Sequence, residues 1–274
     1  MVIYSYLCEN VKEELDKHIS NALSFYEKIN SSLFVKNINS KLLEELRFRE
    51  LIKYAVVFHD LGKVFYQGNF VKENCLSFIG HEFFSTILFK LHVENLAENN
   101  VLDSRGAYME FKYPILFSIL YHHHAMGYSR RLRKLSEIRF DREIIEKHIE
   151  NDVPKIMVHY VSKNEVGNVV ENLKLILEKT VENSAIVLEE TYSIGADVWK
   201  TLETYPKLKK LALATLTILI ILDYLSAYEG RKGPKLKFYN ILEQHFRLLS
   251  GISGNFLQKP AFSSSGRRGD CFWV

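Results

Sequence analysis

The 274-residue chain is predicted to be mainly α, and three observations carry that expectation. Almost every apolar pattern in it repeats at three- and four-residue steps, the spacing of one helical face. A nearly all-apolar stretch from Leu208 to Ala227 reads as a buried core helix. The composition, 47% apolar and 25% charged, is that of an ordinary globular protein with ample material for a core. We find no internal repeat. The expected organisation is one helical domain over residues 1–250, followed by a Gly-, Ser- and Arg-rich flexible tail over residues 251–274.

The bulk properties exclude some classes. A net charge of +3 permits contact with a polyanion without announcing it, so any nucleic-acid argument rests on local clusters. Cys8, Cys75 and Cys271 form no CxxC pair, which argues for a reducing compartment and against a disulfide framework or a zinc knuckle. The N-terminus meets acidic residues too early for a signal peptide. The longest apolar run, Leu211 to Leu222, is 12 residues, whereas a membrane span needs about 20. These readings predict a cytoplasmic protein with no membrane partner.

Taken in order, Val11, Leu15, Ala22, Phe25 and Ile29 mark a first amphipathic helix, with His18 in its core-facing stripe. Leu42, Leu43, Leu46, Leu51, Tyr54, Ala55 and Phe58 predict a second helix. It ends in His59 and Asp60, within the stretch IKYAVVFHDLGK. A carboxylate at the end of a buried helix requires a metal, an arginine or a cage of donors, because its unpaired burial costs several kcal/mol. Gly62 is read as the helix stop, delivering Lys63 to the same spot.

A polar turn over 67–74 follows. His81 then opens a third helix whose apolar face includes Phe84, Ser85, Leu88 and His92, with His92 too far along the axis to share a metal with His81. Pro114 is read as the first turn of a fourth helix, PILFSILYHHH, ending in His122, His123 and His124. Between Ser129 and Arg142 there are six basic residues against two acids, so Arg130, Arg131, Arg133 and Lys134 form a candidate phosphate-contacting arm. PKIMVHYV reads as a short strand or extended segment, and Val166 to Thr180 as a helix. In the apolar stretch from Leu208 to Ala227, Asp223 requires a counter-cation. Basic residues flank it at Lys207, Lys209 and Lys210 and again at Arg231, Lys232, Lys235 and Lys237.

Jointly, His18, His59, Asp60 and Asp223 stand at the apolar edges or ends of separate helices, the way a helical core assembles a metal site. His81, His123 and His124 offer a second imidazole group, and Asp60, with two oxygens, can bridge both. Two ions about 3.5–4 Å apart form a clamp for in-line attack on phosphate.

On these residues the chain resembles the HD superfamily of metal-dependent phosphohydrolases: an early helical His, the pair within HDLGK, and a late Asp. Within that superfamily it is most similar to the HD nuclease of type I CRISPR interference, whose HDxGK is followed by a helical His and a tandem HH. GHEFFS and YHHHAMG stand in those places. The resemblance covers roughly the first 230 residues and implies an HD-type helical bundle with its metal site among helix ends.

It further implies His18, His59, Asp60, His81, His123, His124 and Asp223 as ligands of two divalent ions (Mn, Fe, Co, Ni or Mg). Asp60 and Lys63 would act in catalysis, Lys63 by offsetting charge on the phosphate. Three histidines occupy the place of two. The pair is His122 with His123 or His123 with His124, and the latter is preferred because AMG follows it. HHExxxGxGYP is lacking, which argues against the cyclic-dinucleotide branch.

The implied activity is hydrolysis of single-stranded DNA, or RNA. With no GxxxxGK[ST] loop in the chain, the implied partners are a separate helicase and an RNA-guided complex. The alternative expectation is an HD phosphohydrolase acting on nucleotides or other small phosphoesters.

Overall fold

The computed structural model describes residues 2–72, 75–102, 104–123, 127–135, 140–183, 185–231 and 237–250, and it is mainly α, as expected. The calls on His124, Lys232, Lys235, Cys271 and the tail over 251–274 lie outside the described residues.

The chain begins with a hairpin. β1 (Tyr4–Cys8) and β2 (Val11–Glu14) pair antiparallel across a turn in which Glu9 has φ 53°. Val11 is therefore a strand residue, and α1 (Leu15–Ile29) starts four positions later than the apolar spacing implied. The strand alternates, turning Glu13 inward between Lys12 and Glu14. From Leu15 the helical period takes over, and Leu15, His18, Ile19, Ala22, Phe25, Tyr26 and Ile29 form the buried face.

The second helix expected over Leu42 to Phe58 forms only in its later half; Leu42, Leu43 and Leu46 lie in the turn between two helices, the first of them not foreseen. α2 (Leu33–Lys41) is capped by Ser32, whose hydroxyl accepts from the Val35 N–H, and α3 (Phe48–Phe58) begins after a turn. The break is fixed by side chains from elsewhere. Asn39 Oδ1 accepts from the Phe48 N–H at 2.8 Å, and the Glu110 carboxylate accepts from the N–H groups of Glu44 and Glu45. In α3, seven of eleven residues are buried, among them Leu51, Ile52, Val56 and Phe58. Each large apolar side chain so buried contributes about 1.5–3 kcal/mol, which fixes where the helix delivers His59.

Beyond Asp60 the chain tightens into a 3-10 turn over Leu61–Tyr66 instead of stopping. Gly62 is needed there for space, not as a cap. A Cβ at this position would lie 2.1 Å from the His81 carbonyl oxygen and 2.9 Å from the Ser85 nitrogen. The glycine lets the turn lie directly on the first turn of α4 (His81–Glu98), with the Gly62 N–H donating to Ser85 Oγ at 2.8 Å.

The polar turn over 67–74 contains a strand, β3 (Phe70–Lys72), which pairs with β4 (Cys75–Leu76). The sheet order is β2-β1-β4-β3. Cys8 and Cys75 are cross-strand partners joined by a disulfide, contrary to the expectation of free thiols. Sixty-seven residues of sequence separation hide that adjacency, and the argument for a reducing compartment loses its support.

α5 (Arg105–Tyr121) starts well before Pro114, at a cap where Ser104 Oγ accepts from the Ala107 N–H. Pro114 lies inside it. α6 (Tyr128–Lys134), α7 (Arg142–Asn151), α8 (Val153–Met157), α9 (Lys163–Glu182) and α10 (Ala185–Thr204) follow. PKIMVHYV is thus not a strand: Asp152 precedes α8, and Pro154 suits its first turn. α9 opens with a reciprocal cap between Ser162 and Glu165.

α11 (Pro206–Arg231) is the central helix, packed on α5, α1 and α3, and α12 (Lys237–Ser250) lies against it. By length and composition alone α11 could cross a membrane. Most of its apolar window is buried within the protein, and it carries the buried Asp223.

Candidate metal centre

Four elements meet at one place. α1 supplies His18, the end of α3 supplies His59 and Asp60, the start of α4 supplies His81, and α11 supplies Asp223. The C-terminal end of α5 adds His122 and His123. All but His123 are at most 9% exposed, which is rare for so many ionisable groups without compensating charge.

The groups fall into two sets. His18, His59, Asp60 and Asp223 bring one ligand atom each within 4.8 Å of one another, and so do His81, His122 and His123. His122, not preferred on sequence, stands in the second set, and among the described residues the tandem pair is His122 with His123. Asp60 lies between the sets. Its Oδ1 is 2.9 Å from His81 Nε2, while its Oδ2 is 3.5 Å from both His18 Nε2 and His59 Nε2. Asp223 Oδ1 closes the first set at 3.2 Å from His18 Nε2 and 3.8 Å from His59 Nε2.

The histidine tautomers follow from the backbone. His59, His81 and His122 each place Nδ1 at 2.6–2.7 Å from the carbonyl three residues earlier, that of Val56, Phe78 and Ile119 respectively. A carbonyl only accepts, so each Nδ1 carries the proton. His18 Nδ1 faces Glu13 Oε1 at 3.0 Å instead.

The Nε2 atoms of all four rings are buried without a formed hydrogen bond, as is His123 Nδ1. An Nε2 atom that faces a carboxylate oxygen at 2.9–3.8 Å requires a proton or a cation between the two, since bare lone pairs would repel. A divalent cation meets that need, and neutral imidazoles with ionised carboxylates are the donor set that borderline transition ions take. The residues therefore fit a metal, and the buried group His18, His59, Asp60 and Asp223 could hold one.

Electrostatics keep the two carboxylates ionised and the two histidines that follow α5 neutral. Burial opposes ionisation of Asp60, but His59, Lys63 and His81 outweigh it and hold the carboxyl well below its ordinary range. His18 and His59 do the same for Asp223 against its own burial. His122 is pushed down to about 3 by burial and by His59, and His123 is held well below its ordinary value by burial and by His122. Both stay neutral at any ordinary pH. His18 differs: burial disfavours its cation, yet Glu13, Asp223 and Asp60 raise it to about 9.

Lys63 is buried beside Asp60. Its ammonium donates to Asp60 Oδ2 at 2.6 Å and to Ser5 Oγ at 3.3 Å, and it lies 5.5 Å above the Phe78 ring. Ser5 of β1, Glu13 of β2 and Glu82 of α4 were not foreseen, and no motif marks them. His92 is remote from the site, as its helical position required. It is fully buried with Nε2 3.3 Å from Glu165 Oε1, which also accepts from Tyr54 at 2.6 Å.

The basic arm divides. Arg130 and Arg133 are exposed and Lys134 is half-buried on α6. Arg131 turns inward at 8% exposure, with Nε and Nη2 donating to the two Glu82 oxygens at 2.6 and 2.7 Å. That corrects its placement among the phosphate contacts, since its guanidinium is committed to a buried carboxylate one residue from His81. Comparison of the chain with protein-family models, with curated proteins and with solved structures finds no match.

Proposed function

We propose that the chain is a metal-dependent phosphodiester hydrolase of the HD type that cuts single-stranded DNA, acting beside a separate helicase and an RNA-guided complex. One observation carries the reading. The two oxygens of Asp60 are turned toward two different imidazole groups, His18 with His59 on one side and His81 on the other. A carboxylate so placed is what a two-ion phosphoryl site needs, and a packing role accounts for neither its burial nor its orphaned neighbours.

Divalent ions bound there would lower the pKa of a coordinated water and offset charge on the phosphoryl oxygens. The chain's own part is to fix the donors. Three ring orientations are set by backbone carbonyls and one by Glu13, so little reorganisation is needed when a ligand arrives. Burial keeps His122 and His123 unprotonated. Lys63, held by Asp60 and Ser5, adds a fixed positive charge where a phosphate would be received. A site sunk among helix ends suits a flexible strand, because a duplex would have to be opened at about 1.4 kcal/mol per base-pair step.

A second reading has an observation in its favour. Withdrawal of Arg131 into the interior thins the cationic track that a strand requires, which favours a nucleotide or another small phosphoester as substrate. Rates on single-stranded DNA, single-stranded RNA, blunt duplex and nucleoside triphosphates, with Mn²⁺ and without ATP, separate the two. Cleavage of single strands with duplex nearly untouched supports the nuclease. Turnover of triphosphates alone would replace it with the small-substrate enzyme.

A further inference from the structure

His59, His81 and His122 take their Nδ1 partner from the backbone three residues earlier, but His18 takes it from a side chain of another element. Glu13 on β2, with its side chain fully buried, accepts from His18 Nδ1 through Oε1 at 3.0 Å. Its other oxygen accepts from Arg231 Nε, also at 3.0 Å, and the Arg231 guanidinium lies 4.3 Å above the Tyr6 ring of β1. Arg231 ends α11, the helix that carries Asp223. One carboxylate thus ties the N-terminal hairpin, α1 and α11 together beside the first ligand set.

Gly230 shows that this placement is tight. A Cβ there would fall 2.1 Å from Glu13 Oε1 and 2.6 Å from its Cδ. The residue sits within α11 with no left-handed φ, where glycine costs about 1 kcal/mol relative to alanine. The space it leaves is filled by the Glu13 carboxylate.

We propose that Glu13 is a positioning residue for the metal centre: it holds the proton on His18 Nδ1, so that Nε2 is the nitrogen turned toward Asp60 and Asp223 and offered to an ion, and Arg231 with Gly230 holds the carboxylate in place. The proposal rests on the reading of the cluster as a metal site. Without the carboxylate the His18 ring is free to rotate or to carry its proton on Nε2, and either change removes a donor from the first set while His81, His122 and His123 keep theirs. Outer partners of this kind change metal affinity by roughly 10–100-fold.

Stripped protein titrated with Co²⁺, followed by calorimetry and visible absorption, tests this in wild type, Glu13→Ala and Gly230→Ala. Wild type should take two ions. Glu13→Ala should weaken one of them by roughly 10–100-fold and leave the other close to its wild-type affinity. Gly230→Ala should weaken the same ion at some cost in thermal midpoint, because its Cβ displaces the buried Glu13 carboxylate while leaving the residue in place. A merely structural Glu13 would lower the affinity of both ions alike or of neither in a folded variant, and Gly230→Ala carries the test alone if Glu13→Ala fails to fold. Wild-type affinity for both ions in either folded variant would overturn the proposal. Failure of the wild type to bind Co²⁺ would instead overturn the metal reading.

Discussion

Gly62→Ala is the most informative single perturbation, because the glycine is where the Asp60 turn and the His81 helix touch. The added Cβ would lie 2.1 Å from the His81 carbonyl oxygen, and both that atom and the Ser85 nitrogen at 2.9 Å belong to backbone that cannot swing aside. To restore ordinary contact at 3.4 Å the turn must retreat by about 1.3 Å. Overpacking of this kind costs about 1–3 kcal/mol, and loss of the buried bond from Gly62 N–H to Ser85 Oγ adds about 0.5–1.5 kcal/mol.

A destabilisation of about 1.5–4.5 kcal/mol leaves a domain of ordinary stability folded. The same retreat opens the 2.9 Å contact between His81 Nε2 and Asp60 Oδ1, and misplacement by about 1 Å costs on the order of 100-fold in rate. Urea denaturation and metal stoichiometry are the assays. A folded Gly62→Ala with wild-type stability and the full wild-type metal content would refute the close-approach argument.

Four further outcomes follow from the geometry. Arg131→Met should destabilise the protein by about 3–5 kcal/mol, since it strands the buried Glu82, and an unchanged urea midpoint would contradict the ion pair. Replacing Arg130 and Arg133 by Gln should leave stability within about 0.5 kcal/mol but reduce the salt slope of single-strand binding by about 0.7 per lost phosphate contact; an equal slope would make them solvated surface. Lys63→Ala should lower turnover with metal content retained, whereas loss of metal would show that Lys63 serves mainly to hold Asp60. Glu165 is held at about 2, because His92, Tyr54 and Ser162 outweigh its burial, so its contribution to stability is complete above 4.5 and fades as pH falls toward 2. The stability gap between wild type and Glu165→Gln should therefore narrow from pH 6 to pH 3, and a constant gap would contradict the sign.

Much of the centre was legible because it is written in local spacing. His59 and Asp60 at the end of an apolar helix, His81 at the start of another and Asp223 in an otherwise apolar run each announce a buried charge that needs a partner. His18 was visible on the core stripe of α1. What escaped depends on contacts between distant segments. The break between α2 and α3 is held by Asn39 and Glu110, the Cys8–Cys75 bond by the adjacency of β1 and β4, and the inward turn of Arg131 by Glu82.

The same is true of Glu13, one acid among several in the hairpin until His18 and Arg231 are seen on either side of it. Gly62 was noticed for the wrong reason, as a helix stop, because nothing in HDLGK says that α4 passes within touching distance. Pro114 was misread for a related cause. A proline suits a first turn, and the capping by Ser104 that starts α5 earlier has no apolar signature.

Whether Asp60 joins two ion sites is tested most directly by the electron paramagnetic resonance of the Mn²⁺-loaded protein. Two ions bridged by one carboxylate about 3.5–4 Å apart are exchange-coupled. Wild type should bind two Mn²⁺ per chain with a coupled spectrum, reduced in Asp60→Ala to at most one ion with an isolated six-line signal. A wild-type protein that binds a single uncoupled Mn²⁺, or an Asp60→Ala variant that keeps the coupled pair, would contradict a bridging Asp60.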